Sequence, residues 1–173
     1  GVDYTHPALD RQYRGNLGGG TYDHDYNWYQ PYNVGGTCGD GTYPCDWQGH
    51  GSGTAGIMVG ETADLTEQIG IAPQAQWMAC MGCESPPTGC STAALQACMD
   101  WMLAPTDTSG NNADPSKRPH IVNNSWGGGG CTTTYQTYVQ AWVAAGMFPR
   151  DKAESSRGPS PSNERISPIT FSS

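Results

Sequence analysis

The residue in this chain best suited to proton transfer is His50, which lies between Gly49 and Gly51. An imidazole titrates near neutral pH, so it can accept and return a proton during a reaction. The two glycines let the backbone bend there and let a substrate or partner come close. The small residues of 52–59 predict a tightly packed helix with His50 at its N-terminal end. The alternative is a glycine-rich turn that carries a surface histidine.

Residues 50–56, which read HGSGTAG, resemble the histidine motif of the subtilisin-like serine peptidases, with Gly53 where that family has a second histidine. Four further blocks resemble the family in the same order, and they are residues 1–9, 69–75, 121–127 and 155–160. Residues 101–105 and 114–117 resemble the bacillopeptidase F-like branch. The resemblance spans nearly the whole chain.

This resemblance implies a serine endopeptidase that hydrolyses peptide bonds with a Ser-His-Asp triad, in which His50 is the general base. It also implies that Ser125, Trp126, Gly127 and Gly128 pair with an extended peptide substrate, with Trp126 as the wall of a side-chain pocket. Glycine at such a strand lets the peptide backbone approach. Without the resemblance, the same residues read as a core strand that ends in a glycine loop.

Two members of the triad have no position in these 173 residues. The family's aspartate would precede Gly1, and Asp3 lies two residues beyond that glycine, so we do not assign it the role. The nucleophile motif Gly-Thr-Ser-Met-Ala and the oxyanion asparagine are absent. We therefore expect this chain alone to be inactive. The alternatives are a non-catalytic peptide-binding module and a cysteine-rich extracellular structural protein.

Length and charge limit the classes of partner. A chain of 173 residues fits one domain, here residues 1–173. The net charge is −8 and no lysine or arginine lies between Gly15 and Ser116, which argues against nucleic acid and anionic membranes as partners. No cofactor is required for the implied chemistry, although the acidic surface could attract structural calcium. Residues 23–25 (Asp-His-Asp) could hold a metal, but such clusters are more often polar surface.

The seven cysteines favour an oxidising, extracellular setting. Cys38 and Cys45 bracket a turn-rich loop, which predicts a local disulfide near His50. The cysteines of residues 80–98 favour structural disulfides, while a zinc site or redox pair stays open. Without an initiator methionine or a signal-like segment, Gly1 is expected to be an internal or processed start.

The order of predicted elements favours an α/β fold with a parallel β-sheet and helical crossovers, subtilisin-like and partial. The strands are predicted at residues 22–28, 76–80 and 120–125, and the helices at 50–59, 92–103 with Ser91 as N-cap, and 132–145. Only five residues join Pro149 to the block at 155–160. We therefore expect an unfilled position or an exposed edge in the sheet, or a break before residues 150–173 join it.

Overall fold

The computed structural model describes residues 1–32, 38–83, 89–127, 133–151 and 169–172. Its α-helices are α1 (His50–Val59), α2 (Thr92–Leu103) and α3 (Gln136–Ala144). Its strands are β1 (Asn16–Gly18), β2 (Thr21–Tyr22), β3 (Trp28–Tyr29), β4 (Ala79–Cys80), β5 (Ile121–Asn124), β6 (Phe148–Asp151) and β7 (Ile169–Ser172). Short 3-10 helices lie at Asp10–Gln12 and Pro115–Lys117.

Five strands form one parallel sheet in the order β3-β4-β7-β5-β6. Helix α1 connects β3 to β4, α2 connects β4 to β5, and α3 connects β5 to β6. Parallel neighbours need such crossovers, because a short turn cannot return the chain to the same end of the sheet. The predicted α/β class with helical crossovers is therefore confirmed. Strands β1 and β2 form a separate antiparallel hairpin.

The side chains of residues 77–81 alternate between two hydrophobic clusters, one on each face of the sheet. Trp77, Ala79 and Met81 belong to the cluster that contains Ala55 and Val59 of α1. Met78 and Cys80 belong to the cluster that contains buried residues of α2 and α3, Trp142 among them. This alternation is the two-residue period of a strand buried on both faces. The helices therefore cover the sheet from both sides.

Helix α2 forms as the sequence predicts. Ser91 has an extended backbone and its side chain accepts a hydrogen bond from the amide of Ala94, 3.1 Å away. Leu95, Cys98 and Met102 lie on the buried face. A serine N-cap satisfies one of the amides that a helix leaves unpaired at its start, so the helix begins at this residue.

Three disulfides link the described cysteines, and they are Cys38–Cys45, Cys80–Cys98 and Cys83–Cys90. The predicted local pair Cys38–Cys45 is confirmed. The other four described cysteines form structural disulfides, which is one of the alternatives that the sequence left open for them. The bridge from Cys80 to Cys98 ties β4 directly to α2. Cys131 lies outside the described residues.

Two predicted elements are wrong in extent. The strand predicted at residues 22–28 is a turn between β2 and β3, in which Tyr26 adopts a left-handed backbone (φ 64°). Arg14 holds this turn by donating to the carbonyl of Tyr26 and to the side chain of Asn27. The third helix begins at Gln136, four residues later than predicted.

Of the alternatives expected for the sheet, strand β7 excludes an unfilled position between β4 and β5 and agrees with residues of the 150–173 segment joining the sheet. It lies inside the sheet and pairs with β4 on one side and with β5 on the other. The link between β6 and β7, including the block at 155–160, lies outside the described residues. In the described part of the chain, no helix is both long and apolar enough to span a bilayer.

Candidate functional site

His50 is the first residue of α1, as the sequence predicts, and it is exposed. Gly49 precedes it with a left-handed backbone (φ 81°), a conformation that glycine adopts without strain. The glycine therefore turns the loop sharply into the helix. Among the described residues, no hydrogen bond to the imidazole ring of His50 is present, and only its carbonyl is engaged, by Thr54 Oγ1 at 2.9 Å.

The carboxylate of Asp46 fixes the start of this helix. Its Oδ1 accepts hydrogen bonds from the amides of Gly49 (2.8 Å) and Gln48 (3.2 Å). Its Oδ2 accepts from the amide (2.8 Å) and the hydroxyl (2.7 Å) of Ser52. A carboxylate here satisfies unpaired amides and complements the positive end of the helix dipole. Asp46, four residues before His50, therefore acts as an N-terminal cap of this helix.

The pKa of Asp46 reflects two opposing effects. Partial burial raises the pKa of its carboxyl, but the hydrogen bonds from Ser52 and Gly49, together with the α-amino charge of the chain, outweigh burial and lower it. Asp46 therefore stays ionised and keeps all its hydrogen bonds at neutral pH. The sequence analysis missed this residue, although an aspartate just before a helix start is an N-terminal signal.

The first residues of the chain pack against the same helix start. The amide of Asp3 donates to Ser52 Oγ at 2.9 Å, while the carboxylate of Asp3 accepts from Thr5. At Gly1, an added Cβ would lie 1.7 Å from the carbonyl oxygen of Cys45 and 2.7 Å from Cε of Met81. Only glycine fits that position. Gly1 therefore packs between Cys45, in the loop before α1, and Met81, immediately beyond the end of β4.

The predicted substrate strand is β5 with the residues that follow it. Asn123 Nδ2 donates to Ser125 Oγ, so these two side chains hold each other on one face of the strand. Gly127 faces open space, because an added Cβ would meet nothing within 4 Å. Gly128 lies outside the described residues. Peptide binding by Ser125, Trp126 and Gly127 stays a prediction, as does catalysis by His50.

Trp126 packs edge-on against Tyr135, with ring centroids 4.9 Å apart at 71°. Its indole Nε1 is buried without a hydrogen-bond partner in the described part of the chain, and so are both side-chain polar atoms of Asn124. Asn124 is only 2% exposed. The sequence analysis did not single out Asn124, because the burial of a polar residue in a strand can be recognised only when the neighbouring elements are known.

The crossover topology puts His50 and Ser125 at the same edge of the sheet. Ser125 follows the carboxyl end of β5, and α1 starts the crossover that leaves the carboxyl end of β3 and returns to the parallel strand β4. One strand, β7, separates β4 from β5, so the two strand ends are about 10 Å apart at a spacing of about 4.8 Å per strand. Binding sites of open α/β sheets collect at this carboxyl edge.

The metal alternative at residues 23–25 gains no support from the described ranges. There, no group of three or more histidine, cysteine or acidic residues is arranged to hold a metal ion. His24 Nδ1 instead lies 3.0 Å from the hydroxyl of Tyr13, and its ring stacks on Tyr22 at 6.2 Å. Burial lowers the pKa of His24, against the opposite effect of Asp23 and Asp25.

Comparison with known proteins identifies the family of this chain. Residues 1–161 match the sequence model of the Subtilase family. Bacillopeptidase F of Bacillus subtilis (strain 168) is 40% identical over 156 residues, which cover 88% of this chain and 10% of that protein. No solved structure matches the chain. With a histidine at the start of α1, a glycine-containing strand end at the same sheet edge, and a family match over most of its length, the chain belongs to the subtilase family.

Proposed function

We propose that this chain supplies the general base and the substrate-binding strand of an extracellular, subtilisin-like serine endopeptidase. The observation that carries the proposal is the position of His50, exposed and fixed by Asp46 at the carboxyl edge of a parallel sheet in a subtilase. The three described disulfides support an oxidising location. The substrate is an extended peptide.

Each residue has a defined role in this proposal. The peptide adds to the sheet edge through main-chain hydrogen bonds at Ser125–Gly128, and the missing side chain of Gly127 leaves room for its backbone. His50 takes the proton of a serine hydroxyl as that oxygen attacks the peptide carbonyl, and then passes it to the leaving amine. Among residues 1–173 we assign neither the serine nor the aspartate that would orient His50.

A second candidate function is peptide binding without catalysis. The open space at Gly127 favours it, because a strand edge with a glycine accepts a peptide backbone whether or not a nucleophile is present. The two functions differ in one observable. The peptidase requires that an activated serine exist in the polypeptide that contains this chain, and the binding module does not.

The deciding experiment is activity-based labelling with a fluorophosphonate, which reacts with activated serines. We expect no labelled serine in the 173-residue chain, and one labelled serine in the longest natural polypeptide that contains it. Loss of that labelling in His50→Ala supports the role of His50, because removing a triad member costs about 10⁴–10⁶-fold in rate. His120→Ala is the matched control and should label normally. Unchanged labelling in His50→Ala would refute the proposal.

A further inference from the structure

A cavity of about 300 Å³ lies on the face of the sheet that α2 covers, between β3, the second half of α2 and the loop after α2. Its lining includes Tyr29, Ala97, Asp100, Trp101, Thr106 and Gly110. Since α2 joins the carboxyl end of β4 to the amino end of β5, this loop lies at the amino edge of the sheet. The cavity is therefore separate from the carboxyl edge at which His50 and Ser125 lie.

Two aromatic rings form one wall of the cavity. Tyr29 stacks on Trp101, with ring centroids 5.7 Å apart and ring planes at 14°. Trp101 is only 4% exposed, and its indole Nε1 donates to Thr106 Oγ1 at 3.2 Å. Trp101 thereby fixes the orientation of the half-buried Tyr29 ring. Because the face of an aromatic ring attracts positive charge, this wall favours a cation.

Asp100 adds a carboxylate that has no partner in the described part of the chain. It is exposed, and no described residue gives its carboxylate a hydrogen bond or an ion pair. Burial raises the pKa of Tyr29, and interactions with Tyr32 and Asp100 raise it further, so this carboxylate lies near the ring. Asp100 also lies in the last turn of α2, which contains no basic residue. A negative charge there opposes the helix dipole, and a bound cation would relieve this repulsion.

The loop that lines the cavity is held in place by two other carboxylates. Asp25 accepts hydrogen bonds from the amide and the hydroxyl of Thr108, at 2.8 and 2.9 Å. Asp107 accepts a hydrogen bond from the amide of Asn111 at 2.8 Å. These bonds use Asp25 and Asp107 and leave Asp100 as the open carboxylate of the cavity. A loop that is already fixed lowers the entropy cost of binding.

We propose that this cavity binds the guanidinium group of an arginine side chain from a polypeptide partner. The planar guanidinium stacks on the ring of Tyr29, and its N–H groups donate to the carboxylate of Asp100. An ammonium group is a point charge and cannot use a ring face and a carboxylate in this paired way. The proposal does not depend on peptidase activity, because the cavity is separate from His50.

Volume and charge favour a polypeptide as the source of this group. The cavity is at the lower end of the range for pockets that enclose small ligands, roughly 300–1,000 Å³, so it fits one side chain better than a whole metabolite. The net charge of the chain is −8, and no lysine or arginine lies between Gly15 and Ser116. This charge attracts a basic segment of a protein.

The test is an NMR titration of the 173-residue chain with N-acetyl-arginine amide. We expect saturable shifts of the backbone amides of Asp100 and Gly110, and none at Gly53 of α1. N-acetyl-citrulline amide has nearly the same shape without the charge, and N-acetyl-lysine amide has the charge without the plane, so both should bind more weakly. Equal binding of either compound, or no saturable shift, would overturn the proposal. Tighter binding of free arginine than of the capped compound would overturn it too, because a free amino acid would then be the ligand.

Substitution of Asp100 should change binding and stability in opposite directions. Asp100→Asn should weaken binding about three- to fivefold, as expected for an exposed ion pair. It should also raise the urea midpoint of the chain without ligand, because a negative charge leaves the end of α2. Asp64→Asn is the matched control, since Asp64 is a fully exposed carboxylate outside the cavity, and it should bind like wild type. Wild-type affinity in Asp100→Asn would contradict the proposal.

A pair of substitutions at Tyr29 tests the aromatic wall. Tyr29→Phe keeps the ring face and should bind like wild type. Tyr29→Leu should weaken binding about two- to fivefold, because the cation loses its contact with the ring. Equal affinity of the two variants would show that the ring does not bind the guanidinium and would refute that part of the proposal. Melting temperatures of both variants check that each is folded, and if Tyr29→Leu unfolds, Asp100→Asn decides alone.

Discussion

Replacing Asp46 tests how the molecule holds the start of α1, where His50 lies. The carboxylate of Asp46 accepts four hydrogen bonds at the start of α1, from Gln48, Gly49 and Ser52. In Asp46→Ala these amides lose their acceptor and the helix loses its N-terminal negative charge.

A lost N-cap costs about 0.5–2 kcal/mol, and the partly exposed amides regain bonds to water, so we expect a loss of about 2 kcal/mol. In a domain of this size, such a loss lowers the melting temperature by about 4–8 °C. Urea unfolding followed by tryptophan fluorescence at pH 7 measures it. Asp64→Ala is the matched control, because Asp64 also accepts two bonds from a threonine, Thr66, but is fully exposed. The control should show no measurable loss.

The same variant has a pH signature. Because the folded-state pKa of Asp46 lies below its unfolded value of about 3.9, the unfolded chain binds the proton more readily. The stabilisation is therefore fully present above pH about 4 and is lost as the pH falls through the lower folded pKa. The difference between wild type and Asp46→Ala should shrink over this range. Our reasoning about the cap would be refuted if Asp46→Ala unfolded at the same urea concentration as Asp64→Ala at pH 7.

Three further predictions concern other parts of the chain. Because burial lowers the pKa of His24, the folded state disfavours the protonated imidazole, and stability should fall as the pH drops below about 6.5. In His24→Phe the urea midpoint should depend less on pH over this range. A double alanine variant that removes the Cys38–Cys45 bridge should lower the free energy of unfolding by about 2–3 kcal/mol. Intact mass measured with and without reduction should count the bridges. Gly127→Val should abolish the amide shifts that an extended peptide causes in NMR spectra. The melting temperature should stay unchanged, because the valine side chain enters open space. Peptide binding equal to wild type would count against the substrate strand.

Local signals predicted those elements whose ends are set by nearby residues. The start of α1 at His50 follows from the glycine before it, and α2 starts beside the hydroxyl of Ser91. The Cys38–Cys45 bridge closes a loop between near neighbours. In each of these cases the deciding interaction spans at most seven residues, so a short stretch of sequence contains it.

Elements that depend on distant residues could not be predicted in this way. The alternating residues 22–28 form a turn because Arg14 binds its backbone from outside. The burial of Asn124 became visible only when the strands were placed together, whereas the cap of α1 by Asp46 is a local signal that the sequence analysis missed. The position of β7 inside the sheet has no local signal at all, because both of its partners lie far away in the chain.

The place of β7 has a consequence for how the molecule assembles. Its partners β4 and β5 are made long before it, since residue 124 leaves the ribosome well ahead of residue 169. During synthesis both strands present open hydrogen-bonding edges towards each other across an empty gap, and such edges invite pairing with other chains. Pairing at this sequence distance is also slow. Of the described strands, β7 therefore emerges last, and it joins the two halves of the sheet.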